Sequence, residues 1–98
     1  MNNVRTANKY VPDYLVTSGE VLEDYLGYAG ITQAVLADRT GLLKKTINEI
    51  VKAKSAITAE IALMFERTLG RPAHFWSNLE RQYQEDKVRL TGNMYSDK

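Results

Sequence analysis

Residues 32–54 constrain this chain more than any other segment. They read TQAVLADRTGLLKKTINEIVKAK, which predicts two short helices joined by a tight turn. Ala37 is small, as two closely crossing helices require, and Gly41 can adopt the positive φ of a sharp turn. Ile47 and Ile50 stand three residues apart, so they share one face of the second helix and can pack under the first. The segment therefore has the pattern of a helix-turn-helix.

Capping residues and apolar stripes predict three more helices around this motif. Thr17 or Ser18 can cap a first helix that begins near Gly19, and Thr58 can cap the fourth. Pro72 is suited to the first position of a fifth. We expect the two motif helices over 33–40 and about 43–52. The prediction is an all-α fold, a compact five-helix bundle, with an N-terminal arm (1–17), a helix-turn-helix DNA-binding domain (18–84) and a charged C-terminal tail (85–98).

Composition limits the classes of protein to consider. The chain has 98 residues, enough for one small domain, and no cysteine, which excludes disulfides and thiolate metal sites. No apolar run has the length of a membrane span or a secretory signal. We therefore expect a cytoplasmic protein. The net charge is only +1, so a nucleic-acid function must come from local clustering of basic residues.

The outward face of the second motif helix carries amines and an amide that can read DNA. Lys44 and Lys45 can donate to guanine O6 and N7, and Asn48 can pair with adenine through two hydrogen bonds. Glu49 can accept from cytosine N4, and Gln33 can donate to a phosphate beside the start of its helix. The predicted DNA-binding surface consists of Gln33, Lys44, Lys45, Thr46, Asn48, Glu49, Lys52 and Lys54. The alternative for these lysines is a solvated face without a ligand.

No residue pattern in the chain is typical of catalysis. The sequence lacks a nucleophile elbow, a glycine-rich phosphate loop and metal ligands at recognised spacing. His74 is the single histidine and has no second histidine to share a metal with. Carboxylates such as Glu20 near a helix start are common surface groups. We predict no catalytic residue, no metal, no cofactor and no enzymatic activity.

From Gly19 to about Tyr83 the chain resembles the Xre-like helix-turn-helix proteins, in particular the HigA-type antitoxins. The matching segments are GEVL (19–22), GITQAVLADRTG (30–41), KKTINEIVKAKSAIT (44–58) and ALMFERTLGRPAHFWSNLERQY (62–83). The last is the most specific, because an FW-x-N-L segment after an L-G-x-P-A turn is unusual in helix-turn-helix proteins. The chain departs from the family at Leu43, where serine or threonine often caps the recognition helix. A leucine cannot cap, at a cost of about 1 kcal/mol.

The resemblance implies a lambda-repressor-like fold and a cytoplasmic homodimer. Such a dimer binds the DNA operator of its own operon and neutralises a HigB-type mRNA endoribonuclease toxin. We expect the dimer surface on the fifth helix, because that helix has more aromatic surface than a small bundle must bury. Its predicted contacts are Phe75, Trp76 and Tyr83, although Phe75 and Trp76 can instead belong to the core. Contacts with a partner protein are assigned to Tyr10, Tyr14 and Leu15 of the arm, which can instead pack over the bundle as a lid.

Two other interpretations remain open at this stage. The chain can be a transcriptional regulator without a toxin, or the N-terminal DNA-binding module of a larger regulator with a peptidase-like domain. It can also be a protein-interaction module that has lost DNA binding, which Leu43 favours because it removes a cap and a phosphate contact.

Overall fold

Five helices make up the computed structural model, which describes residues 15–91. They are α1 (Ser18–Ala29), α2 (Gln33–Thr40), α3 (Lys44–Val51), α4 (Ala59–Leu69) and α5 (Ala73–Thr91). No strand occurs among the described residues, so the predicted all-α bundle is confirmed. No helix within 15–91 is both long and apolar enough to cross a membrane.

Threonine side chains begin three of the helices, as the sequence predicts. Thr17 accepts a hydrogen bond from Glu20 N at 3.0 Å, and Thr32 accepts one from Val35 N at 3.1 Å. The Thr58 hydroxyl does the same for α4. Each bond satisfies a backbone N–H that has no partner within its helix. Of the two candidate caps for α1, Thr17 is the one that the structure uses.

The turn between α2 and α3 has the geometry that residues 32–54 predict. Gly41 has a φ of 84°, and its N–H donates to Ala37 O at 2.8 Å. Leu43 stands at the N-cap of α3 without a side-chain hydrogen bond, although its backbone oxygen accepts from Ile47 N at 3.1 Å. Helix α3 therefore begins without side-chain capping, as the sequence indicates.

Helix α5 continues beyond residue 84, after which the sequence predicts a separate charged tail. It continues to Thr91, so residues 85–91, assigned above to the charged tail, are helical. Contacts one turn apart support this extension: Arg81 pairs with Glu85 at 2.9 Å, and Arg89 pairs with Asp86 at 3.0 Å. Charged residues with long side chains are good helix formers, so a loss of apolar residues does not end a helix.

The core lies between the helix-turn-helix and α5. Trp76 has no exposed surface and is at its centre, with ring centroids 5.7 Å from Tyr25, 5.4 Å from Phe65 and 4.9 Å from Phe75, all edge to face. The buried apolar residues are Leu22, Leu26, Leu36, Ala37, Ile47, Ile50, Ile57, Ala62, Phe65, Leu69 and Trp76. Tyr25 also ties α1 to α4, because its hydroxyl donates to Leu69 O at 2.8 Å.

The start of α1 lies directly against the end of α3. Gly19 is buried, and a Cβ placed on it would be 2.1 Å from Ile50 O and 2.5 Å from Val51 O. Both atoms belong to backbone, which cannot move aside as a flexible side chain can. Only glycine permits this approach, and the approach sets the position of α3 against the bundle.

We expect Gly19→Ala to lower the free energy of unfolding by at least about 2 kcal/mol, because the added methyl group would displace backbone. Urea denaturation measures the change. Gly27→Ala is the matched control in the same helix, since a Cβ at Gly27 meets nothing within 4 Å. That control should stabilise the protein by about 0.5–1 kcal/mol, the usual gain of alanine over glycine inside a helix. Equal effects of the two substitutions would contradict the close approach.

Candidate nucleic-acid interface

Helix α3 has one buried face and one outward face. Ile47 and Ile50 have no exposed surface, and they fix which side of the helix meets the core. Lys44 and Lys45 are exposed at the helix start, while Asn48, one turn after Lys44, is half-buried. Thr46 and Glu49 are also half-buried. The arrangement presents two amines and one amide on the outer side of a helix narrow enough for a DNA major groove.

Two of the predicted DNA-binding residues contact each other. Asn48 Nδ2 donates to Gln33 Oε1 at 3.3 Å, which links α3 to the first residue of α2. The pair lines a surface depression of 430 Å³ together with Glu20, Glu23 and Lys52. The hydrogen bond orients the Asn48 amide relative to α2.

The basic surface continues into the turn after α3. Lys52 and Lys54 are exposed, and Ala53 between them has a φ of 63°, in the left-handed region that favours glycine. Lys54 N and Ser55 N both donate to Glu49 O, at 2.8 and 3.2 Å. These bonds hold the turn against the end of α3, where Lys52 and Lys54 add two exposed amines to those at the start of the helix.

Charge is distributed unevenly along the chain. Residues 32–54 contain five basic and two acidic side chains, a net charge of +3. The rest of the chain contains eight basic and ten acidic side chains, a net charge of −2. The near-neutral total therefore hides a basic segment, and this segment coincides with the helix-turn-helix. Such clustering attracts a polyanion to one side of the molecule.

Sequence reasoning missed Glu80, a residue of α5 that supports the interface from behind. Its Oε1 accepts hydrogen bonds from Ser18 Oγ at 2.7 Å and from Ile57 N at 3.0 Å, and its Oε2 accepts from Gln84 Nε2 at 2.7 Å. One carboxylate thereby joins the start of α1, the segment after α3 and α5. Burial raises the pKa of Glu80, but these hydrogen bonds and nearby Lys87 outweigh it and hold the pKa below its ordinary value.

The structure changes the interpretation of the aromatic residues on α5. Trp76 has no exposed surface, so it belongs to the core of the protomer, and the prediction that it contacts a second copy is wrong. Phe75 and Tyr83 are half-buried and keep surface for a partner. Arg71 lies 4.1 Å above the Phe75 ring, and Lys87 Nζ lies 5.6 Å from the Tyr83 ring.

The arm residues assigned to a protein partner are only partly described. Leu15 is half-buried, and residues 15–17 lead into α1, which begins at Ser18. Tyr10 and Tyr14 lie outside the described residues.

Solved structures of known proteins share this geometry. A Pseudomonas aeruginosa antitoxin HigA, solved with the higBA promoter, is 27% identical with a TM-score of 0.75, over 87% of this chain and 92% of that one. A Pseudomonas aeruginosa protein solved with 18 bp of its operator DNA is 28% identical with a TM-score of 0.74, over 80% and 85%. In fold and sequence the chain therefore resembles the helix-turn-helix antitoxins of the HigA type. The resemblance read from the segments 19–83 is thereby confirmed.

One curated protein is similar to the chain at the level of sequence. Virulence-associated protein I of Dichelobacter nodosus is 38% identical over 66 residues, which are 66% of this chain and 61% of that protein. The chain therefore spans about three-fifths of the length of this relative. No family model matches the chain.

We expect Glu80→Gln to lower the free energy of unfolding at neutral pH by about 1–2 kcal/mol, because a neutral amide replaces a carboxylate that accepts several hydrogen bonds. The pKa of Glu80 is lower in the folded protein than its ordinary value. The carboxylate therefore stabilises the fold above the unfolded pKa, and this contribution is lost as the pH falls through the folded pKa. The difference between wild type and variant should shrink in acid.

Urea denaturation across a pH series measures this difference. Glu85→Gln is the control on the same helix, since Glu85 is exposed and pairs only with Arg81 one turn away among the described salt bridges. It should change the free energy of unfolding by less than about 0.5 kcal/mol. If Glu80→Gln changes the free energy of unfolding equally at neutral and acid pH, the charge of Glu80 does not stabilise the fold.

Proposed function

We propose that this chain is a sequence-specific DNA-binding antitoxin that represses its own operon and neutralises a HigB-type mRNA endoribonuclease toxin. The observation that carries the DNA half is the two-sided nature of α3. Ile47 and Ile50 are fully buried, while Lys44 and Lys45 are exposed on the same short helix. A helix anchored in this way can enter a major groove without leaving its bundle.

In the proposed complex, α3 lies in the major groove with its N-terminus nearest the base edges. Lys44 and Lys45 donate to guanine, and Asn48 pairs with adenine while Gln33 steadies its amide and contacts a phosphate. Glu49 accepts from cytosine. Thr46, Lys52 and Lys54 contact the phosphate backbone beside the groove. That two Pseudomonas aeruginosa relatives were solved with promoter or operator DNA supports this assignment.

The proposed active form is a homodimer on a two-fold symmetric operator. One recognition helix reads only a few base pairs, so useful affinity requires two copies about one helical turn apart, roughly 34 Å. Phe75 and Tyr83 on α5 are the proposed dimer contacts, because both keep exposed surface beside the buried Trp76.

The toxin half of the proposal rests on the similarity to antitoxins. We assign toxin contact to the arm residues Tyr10, Tyr14 and Leu15, and we propose that the chain acts in the cytoplasm and carries out no chemistry of its own. The catalytic step belongs to the toxin, which this chain blocks by binding. The alternative is a regulator without a toxin, and co-purification with a toxin would distinguish the two functions.

We expect wild-type protein to bind the DNA upstream of its own gene far more tightly than a scrambled duplex. Asn48→Ala should lose roughly 10- to 100-fold in affinity for the operator, the usual value of a two-bond base contact, and little on scrambled DNA. Fluorescence anisotropy with both duplexes measures this. Equal losses on the two would show that Asn48 does not read sequence.

Lys54→Ala is the matched variant for a phosphate contact. It should weaken binding to both duplexes alike and reduce the slope of log affinity against log salt by about 0.9, the value for one phosphate charge. An unchanged slope would place Lys54 away from the DNA.

For the toxin half, we expect the chain to co-purify with the product of an adjacent reading frame that encodes a small RNase-like protein, and to relieve its growth arrest. Tyr10→Ala with Tyr14→Ala should abolish co-purification and leave operator affinity unchanged. Operator binding without any captured toxin would support the regulator that acts alone.

A further inference from the structure

Leu43 is an exposed aliphatic residue at the start of the recognition helix. It is 70% exposed, and it directly precedes the exposed Lys44 and Lys45. Other large apolar side chains with exposed surface, such as Tyr28 on α1, Leu63 on α4 and Val88 on α5, belong to other helices. In the proposed complex the N-terminus of α3 lies nearest the base edges, and Leu43 is the exposed apolar side chain at that N-terminus.

The fold itself has no need of a leucine at this position. The side chain makes no capping hydrogen bond, and it is too exposed to add to the core. The backbone oxygen of Leu43 accepts from Ile47 N, a bond that any residue can make. Serine, threonine, aspartate or asparagine would stabilise α3 better, since their side chains accept from the free N–H groups of its first turn. The stability of α3 therefore disfavours leucine at position 43, and a contact with a ligand would account for its presence.

The DNA major groove offers one apolar group at the base edges, the 5-methyl of thymine. A leucine cannot donate or accept a hydrogen bond, so it distinguishes bases only through such a methyl group. The lysines next to it bind acceptors and phosphates, and they would hold Leu43 at the groove floor. We propose that Leu43 packs against a pyrimidine 5-methyl group, so that each half-site of the operator has a thymine at the position facing the start of α3. This proposal rests on the DNA-binding function proposed above.

The test replaces thymines of the operator one at a time with deoxyuridine, which removes the methyl group and leaves every hydrogen-bonding group in place. We expect one substitution in each half-site to weaken binding of the wild-type protein roughly fourfold, the equivalent of one buried methyl group. Fluorescence anisotropy at fixed salt measures the affinities.

Leu43→Ala should bind the thymine and deoxyuridine operators equally well. Alanine is as poor a helix cap as leucine, so this variant changes the contact and not the stability of α3. Leu63→Ala is the matched control, because Leu63 is 47% exposed on α4, and it should keep the full fourfold sensitivity. Leu43→Ser should raise the thermal stability by restoring a cap and also lose the sensitivity, which separates the two roles of the position.

A second arm distinguishes thymine from 5-methylcytosine, which carries the same methyl group. At the sensitive position, a cytosine duplex and a 5-methylcytosine duplex differ only by that group. If the methyl alone is read, methylation should improve wild-type binding roughly fourfold and leave Leu43→Ala unaffected. If only the thymine duplex responds, the contact also depends on the other edges of that base pair.

Several results would overturn the inference. Tight wild-type binding with no deoxyuridine-sensitive position would leave the DNA function intact and remove the methyl contact. The same conclusion follows if Leu43→Ala keeps the sensitivity, or if it binds DNA normally and instead loses a protein partner. Failure of the wild-type protein to prefer its operator would refute the proposed function, and the inference with it.

Discussion

Helix α3, which carries most of the candidate DNA-binding residues, is held from behind by backbone contact. Gly19 at the start of α1 has no side chain, so α1 lies close against the carbonyl groups of Ile50 and Val51 at the end of α3. The two helix ends meet with opposite partial charges, positive at the start of α1 and negative at the end of α3. Because this contact involves no flexible group, it fixes the direction of α3, and every side chain on its outer face depends on that direction.

The carboxylate of Glu80 supports the same region from α5. It binds Ser18 beside Gly19 and the backbone N–H of Ile57 beyond α3, so three separate segments converge on one group. Helix α3 is thus bounded by a close backbone contact on one side and a hydrogen-bonded carboxylate on the other. Helix α5, on which we place the dimer contacts, belongs to the same support and is not an independent appendage.

The sequence predicts those parts of the fold whose causes are local. Thr17, Thr32 and Thr58 act within their own first turns, and Gly41 acts within its own turn, so each can be identified without a tertiary structure. Glu80 cannot, because it resembles the other charged residues of a polar helix and its partners are distant in sequence. The Phe75, Leu79 and Tyr83 stripe is only half-buried, whereas Trp76 beside it is fully buried. Periodicity alone cannot decide which of two adjacent aromatic residues enters the core.

Trp76 is the only tryptophan in the chain, and its indole is fully shielded from water. Indole emission moves to longer wavelength when water reaches the ring, so the intrinsic fluorescence reports the solvent exposure of one defined position in the molecule. That position is the junction of α1, α4 and α5, each of which supplies an aromatic ring in contact with the indole. The emission wavelength of the unlabelled protein therefore reports whether this junction stays closed when the protein binds a ligand.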